Sequence, residues 1–339
     1  MKTTIPLLEK KHFPVMLNEI AQTCLNIKKN LLIVDCTFGG GGHSKELLKS
    51  SNIKVVALDR DKSAVSRAKY LEKIYPTKFK FYNEKFSNLD KVIKKETKPN
   101  VIIFDLGLSS FQLQDYSRGF SFKSNERIDM QMGLSKISAE DVINTLDEQS
   151  LKLIIKILGE EKEASRIVKN IIKARAIKKI NTVTDLVQII EASKKKNYNK
   201  KINVCTKTFQ ALRIFVNKET TELIEGLIKA TQLIKFGGKI IVISFHSIED
   251  KIVKYYFTNY SSNKSNPSRY MPTENNQKNF FFEKYRNNFL TPSPEELVKN
   301  PASRSAKLRE AVRTDQQFIY PREFKEKFKK YIEIENVIV

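Results

Sequence analysis

The chain is 339 residues long, 40% hydrophobic and 29% charged, enough apolar material for a sizeable core and too much for a disordered polypeptide. Lys and Arg outnumber Asp and Glu by 61 to 38, a formal charge of +23, which favours a polyanionic partner such as nucleic acid or an anionic membrane face; a coding bias toward Lys, Asn and Ile accounts for much of the excess equally well. The three cysteines, Cys24, Cys36 and Cys205, are far apart and form no C-x-x-C pair, which argues against a disulfide framework or a zinc ribbon and fits a reducing compartment.

At its start, MKTTIPLLEKKHFP lacks the apolar core of a signal peptide. No later apolar run approaches the roughly 20 residues of a membrane span, so a cytoplasmic protein is expected. Residues 31–35 (LLIVD) form a short apolar run ending in an acid and followed by Gly39–Gly42, the pattern of a buried parallel strand. A helix opens at Ser44. Strands are expected again at Lys54–Arg60, Lys78–Asn83 and Asn100–Gly107, with a helix over Lys62–Tyr75 between the first two. Strands alternating with helices define an α/β fold with a parallel sheet.

The alternation stops at about Ser138. Ser138-A-E-Asp141 and Thr182-V-T-Asp185 read as capping-box-like helix starts. Leu151, Ile154, Ile155 and Leu158 keep helical spacing, and 160–179 carries Ile167, Ile171 and Ala174 on one side with Arg166, Lys169, Lys173 and Arg175 among its charges. The helical stretch ends in the polar run 194–201. The α/β pattern resumes with helices around 209–216 and up to Ile234, a Gly237-Gly238 turn, a strand over Lys239–Phe245 and a helix from His246. Residues 258–300, rich in Asn, Ser, Pro and Lys, read as a mobile excursion. No internal repeat is visible.

Ligands of open parallel sheets sit beyond the carboxyl ends of the strands. There the sequence places Asp35-C-T-F-G-G-G-G-H-Ser44, Asp59-R-Asp61, Asp105-L-G-L-S-Ser110 and Ser244-F-His246. Consecutive glycines allow close backbone approach, and Asp59 follows Gly39 by 20 residues, the distance at which a second-strand acid reaches ribose hydroxyls. An adenosine-containing cofactor fits this pattern; a flexible turn beside an exposed acid is the bland alternative. NAD is disfavoured, because Gly39–Ser44 lacks the third small residue of G-x-G-x-x-G/A and Asp35 sits poorly beside a pyrophosphate. An acid there suits the ammonium group of S-adenosylmethionine.

The chain resembles the bacterial small-subunit (16S) rRNA cytosine-N4 methyltransferases, the MraW/RsmH family. Eight blocks in the family's order carry the resemblance: His12-F-P-V-M-L-N-Glu19, Asp35 to Ser44, Asp105-L-G-L-S-S-F-Gln112, Arg118-G-F-S-Phe122, Ile128-D-M-Q-Met132, Thr208-F-Q-A-L-R-I-F-V-Asn217, Ile243-S-F-H-S-I-E-Asp250 and Asn300-P-A-S-R-S-A-K-L-Arg309. Cys36, Gln131 and Phe111 depart from the family's usual glycine, arginine and proline. The resemblance implies a Rossmann-like class I methyltransferase core with an inserted helical subdomain. Its cofactor, S-adenosylmethionine, would be held by Gly41, Gly42, His43, Asp59, Phe86, Asp105 and Gln112. The implied substrate is the N4 amine of a cytosine in 16S rRNA, in the decoding region of the small ribosomal subunit.

That amine is a weak nucleophile. An acceptor for its protons and alignment with the methyl donor are what an enzyme can supply; no metal is needed. Asp105, with Ser109 or Ser110, is the candidate catalytic acceptor, and a purely cofactor-binding role for Asp105 stays open beside it. Arg118, Arg213, Asn217 and His246 are candidate substrate residues. Phe120 and Phe122 can stack on an unpaired base or simply fill core. His12 reads as structural, and Arg304, Lys307, Arg309 and Arg313 as phosphate contacts. The expected domains are a methyltransferase core over 1–137 and 202–339 and a helical RNA-substrate subdomain over 138–201. A catalytically idle RNA-binding assembly factor of the same fold is the alternative, and it predicts no donor binding.

Overall fold

The computed structural model describes residues 14–25, 30–194, 203–262 and 280–339. His12 and the polar run over 195–201 lie outside the described residues, as does part of the stretch over 258–300. In chain order the elements are α1 (Leu17–Leu25), β1 (Leu31–Asp35), α2 (Gly42–Leu47), β2 (Ile53–Leu58), α3 (Val65–Ile74), β3 (Phe79–Tyr82), α4 (Leu89–Val92), β4 (Val101–Asp105) and α5 (Ser110–Gln114). Five further helices follow: α6 (Ala139–Thr145), α7 (Glu148–Leu158), α8 (Ala164–Ile177), α9 (Val183–Ser193) and α10 (Thr206–Asn217). The chain closes with α11 (Glu219–Leu233), β5 (Lys239–Ser244), α12 (Ser247–Asn259), α13 (Pro294–Lys299), β6 (Lys307–Val312), α14 (Arg322–Lys327) and α15 (Lys329–Glu335).

Two compact units result. The first comprises residues 1–59, 63–110 and 229–319 and holds one six-stranded sheet in the order β3-β2-β1-β4-β5-β6. Its first five strands are parallel, the α/β arrangement expected from the sequence. The order is that of a doubly wound Rossmann-like sheet, with a switch point between β1 and β4. Strands covered on both faces read as continuous apolar runs, and Ile33, Val34, Val101 to Phe104 and Ile240 to Ile243 are all fully buried.

The sixth strand was not anticipated. β6 runs antiparallel to β5, with Val242 opposite Arg309. The phosphate role expected for Arg309 and Arg313 is corrected here: both are buried. Arg309 donates to Asp250 (2.7 Å) and to the Tyr285 hydroxyl (3.0 Å), and Arg313 to the carbonyls of Thr231 (3.2 Å) and Gln316 (2.6 Å). Lys307 also reaches Asp250, at 3.1 Å. The mobile excursion expected over 258–300 is corrected for its described part as well. Phe281 and Phe282 are buried against Tyr256, Phe257 and Tyr260, an aromatic cluster that aperiodic spacing conceals.

The second unit comprises residues 60–62, 111–228 and 320–339. It is helical, and the stretch expected at 138–201 falls within it. Ser138 and Thr182 form the two capping boxes, with Asp141 and Asp185 reaching back to the cap backbone. Leu151, Ile154, Ile155 and Leu158 of α7 and Ile167, Val168 and Ile171 of α8 are fully buried.

Candidate functional site

The carboxyl ends of β1 and β4 lie side by side at the switch point, and hydrogen bonds tie them together there. Asp35, at the end of β1, is buried. Its Oδ1 accepts from the Thr37 amide (3.2 Å) and its Oδ2 from the Ser44 hydroxyl (2.6 Å). Thr37 in turn accepts from the Asp105 amide through Oγ1 (2.7 Å), tying the two strand ends together. The expectation that Asp35 faces a ligand ammonium is therefore revised: its carboxylate points into the loop and fixes it. Burial raises the Asp35 pKa, against the neighbouring His43 and the two hydrogen bonds it accepts.

The glycine loop follows. Gly41 has φ of 76°, and a β-carbon on it would lie 2.6 Å from the Phe38 ring. A β-carbon on Gly42 would meet Pro14 at 2.4 Å. Both positions thus exclude side chains for reasons internal to the protein. The Gly39 amide donates to Asp59 Oδ2 at 2.6 Å, which joins the loop to the end of β2, and the Asn83 amide holds the Asp59 carbonyl at 2.7 Å. Phe86 stands edge-on to Phe104 of β4, with ring centres 5.3 Å apart, and is half-buried.

His43, in the first turn of α2, places Nε2 3.3 Å from Asp105 Oδ2. Burial pulls the imidazole pKa down, but the Asp105 carboxylate, with Asp35 and Glu296 beyond it, outweighs this and raises it. Two atoms of the pair remain unsatisfied. His43 Nδ1 and Asp105 Oδ1 are buried and have no hydrogen-bond partner among the described residues. Buried polar atoms are rarely left so, and here one donor-capable and one acceptor atom sit where an open α/β sheet takes its ligand.

The remaining candidates have other surroundings. Gln112, in the second unit, donates to Asp61 Oδ2 at 2.6 Å, and Arg118 donates to the same oxygen at 2.6 Å. The Arg118 guanidinium also lies 5.1 Å from the centre of the Phe120 ring. Phe120 is buried, whereas Phe122 is half-buried and edge-on to Phe209. Arg213 makes a two-pronged contact with Glu219, both distances 2.8 Å. Asn217 is fully buried, accepts from the Met132 amide (2.8 Å) and donates to the Met130 carbonyl (2.8 Å). His246, in the first unit, is the N-cap of α12, with Nδ1 accepting from the Glu249 amide at 3.5 Å.

Sequence reasoning missed Thr37, Ser44 and Glu296. The first two lie inside a quoted block, yet only the fold shows which strand end each one serves. Glu296 accepts from the Met16 amide at 2.9 Å, and no signal in its surroundings pointed to that.

An α/β protein of the doubly wound type, with acids and a glycine loop gathered at the switch point, is the class that fold and site define. The chain belongs to the MraW methylase family, whose model matches residues 9–314. It is 40% identical over 305 residues to the ribosomal RNA small subunit methyltransferase H of Bartonella bacilliformis, covering 90% of each chain. It is 38% identical over 309 residues to the protein of the same name from Orientia tsutsugamushi, covering 90% of this chain and 99% of that one. A solved structure, a putative rRNA methylase from Clostridium thermocellum, aligns with a TM-score of 0.40 and 12% identity over 89% of this chain and 99% of that one, too distant to bear on the argument.

Proposed function

We propose that this protein methylates the N4 amine of a cytosine in 16S rRNA of the small ribosomal subunit, using S-adenosylmethionine. The observation that carries this reading is the His43–Asp105 pair with its two unsatisfied buried atoms, at the strand ends beside the glycine loop. Family membership supplies the reaction class, and relatives named for small-subunit rRNA supply the substrate.

S-adenosylmethionine supplies an electrophilic methyl group on a sulfonium. Gly41, Gly42 and the His43 backbone would line its methionine part, Asp59 would accept from its ribose, and Phe86 would lie against its adenine. Asp105 is the acceptor for the target amine: His43 orients it through Oδ2, which leaves Oδ1 for an incoming N–H. Localising the amine lone pair in this way is the help a weak nucleophile needs. Arg118, which donates to the Gln131 carbonyl, and Asn217, bonded to Met130 and Met132, shape the 128–135 segment that presents RNA, and Arg213 braces the start of α11. His246 sets the start of α12, beside the fifth strand end.

Asp105→Asn tests the catalytic assignment. It should lower turnover at least tenfold while donor affinity changes far less; normal turnover with unchanged donor affinity would remove Asp105 from the reaction.

A further inference from the structure

The basic excess of the chain is unevenly spread over its helices. α8 carries Arg166, Lys169, Lys173 and Arg175 and no acid in its 14 residues. Helices of similar length elsewhere mix signs, as α11 and α12 do. α10 also lacks acids, but its two cations are engaged, Arg213 with Glu219 and Lys207 with the Glu160 carbonyl. On α8 the exposed cations line up. Arg166, Lys169 and Lys173 fall at i, i+3 and i+7, with exposed Lys162 one turn before them, on the side opposite the buried Ile167, Val168 and Ile171. Neighbouring α7 exposes Lys152 and Lys156. Arg166 pairs with Glu163. Lys169 and Lys173 have no ion pair among the described residues.

A solvated helix normally interleaves Glu and Lys at i, i+4, and like charges at that spacing destabilise it. Here Lys152 repels Lys156, and Lys169 repels Lys173. A polyanion relieves that repulsion. Within α8, from Arg166 to Lys173, the row spans about 10 Å at 1.5 Å per residue, several phosphates of one strand. A protein partner would call for an apolar centre, and Leu153 and Ile177 are the exposed large apolar side chains of the two helices.

We propose that the outer face of α7 and α8, centred on Lys169 and Lys173, holds the rRNA by its phosphate backbone, independently of sequence. This rests on the reading that rRNA is the substrate. The test compares Lys169→Glu/Lys173→Glu with Lys94→Glu/Lys95→Glu, the same charge change on an exposed turn of the first unit. Binding to naked 16S rRNA and to purified small subunits is measured between about 50 and 200 mM salt. Loss of two phosphate contacts should flatten the log–log salt slope by about 1.4 to 1.8. The KM for subunits should rise about tenfold by the same loss of backbone contacts, with kcat unchanged. The control should keep the wild-type slope.

Lys169→Ala/Lys173→Ala should flatten the slope too, while its Tm equals or exceeds that of the wild type, which excludes misfolding as the cause. Equal slopes for the test and control pairs would overturn the proposal. Weakened binding to subunits with unchanged binding to naked rRNA would also overturn it, by assigning the face to a ribosomal protein. If the wild type transfers no methyl group and the slope difference persists, the proposed activity fails and this surface stands.

Discussion

Asp59 meets the glycine loop through one carboxylate oxygen, which accepts from the Gly39 amide. Asn in its place keeps an acceptor for that amide and replaces the other oxygen with an NH2 group. Asp59→Asn should therefore leave the melting temperature nearly unchanged and weaken S-adenosylmethionine binding about tenfold to a hundredfold, as expected for one charge-assisted hydrogen bond; calorimetric titration measures it. His43 makes a second prediction. Its pKa in the folded state is raised above the ordinary value of about 6.5. The charged imidazole therefore contributes stability that is full below that value and fades as pH rises through the folded-state pKa. The difference in unfolding free energy between wild type and His43→Asn should shrink steadily above pH of about 6.5. A difference that grows with pH would contradict the sign. Some of this was legible in the sequence. Glycines after a strand end announce a tight loop because backbone geometry dictates that residue type, and Gly41 does take a positive φ there. The inward turn of Asp35 was not legible, because it depends on Thr37 and Ser44 taking up its lone pairs once the loop has closed.

Helix starts are local, and Ser138, Thr182 and the His246 stretch could be read from three or four neighbouring residues. β6 is not local. Its KLREAV pattern becomes a strand only by pairing with β5, and in isolation its cations read as a surface cluster. Arg309, buried, instead pairs with the half-buried Asp250, whose carboxyl is held below the usual range by Arg309 and Lys307 despite partial desolvation. Arg309→Ala should destabilise the protein by about 1.5–3 kcal/mol, the loss of charge-assisted hydrogen bonds to a carboxylate that keeps Lys307, measured by denaturant unfolding, and should leave the salt dependence of RNA binding unchanged. The end of the chain makes a similar long-range contact. Glu335 of α15 accepts from the Thr220 and Thr221 amides, at 2.9 and 2.8 Å, in the first turn of α11. It caps that helix from 115 residues away. Glu335→Ala should cost about 0.5–2 kcal/mol, visible as a lower melting temperature.

Over the whole chain, the charge of +23 divides into two kinds of cation. Arg309, Arg313, Arg213 and Arg118 are committed to carboxylates or carbonyls of the protein itself. Lys152, Lys156, Lys162, Lys169 and Lys173 face solvent. Composition alone cannot separate the two kinds, since burial decides which charges remain available to a polyanion. The fold class was legible from strand–helix alternation, and the reversed sixth strand and the reach of the second unit, from residue 60 to the chain end, were not. The central claim is the reaction. It is tested by methyl transfer from labelled S-adenosylmethionine to purified small ribosomal subunits, with wild type and Asp59→Ala side by side and the nucleosides separated afterwards. The account predicts label in N4-methylcytosine with the wild type and its loss with the variant. Donor binding without label in any small-subunit cytosine would contradict the substrate, and no donor binding at all would favour an idle assembly factor.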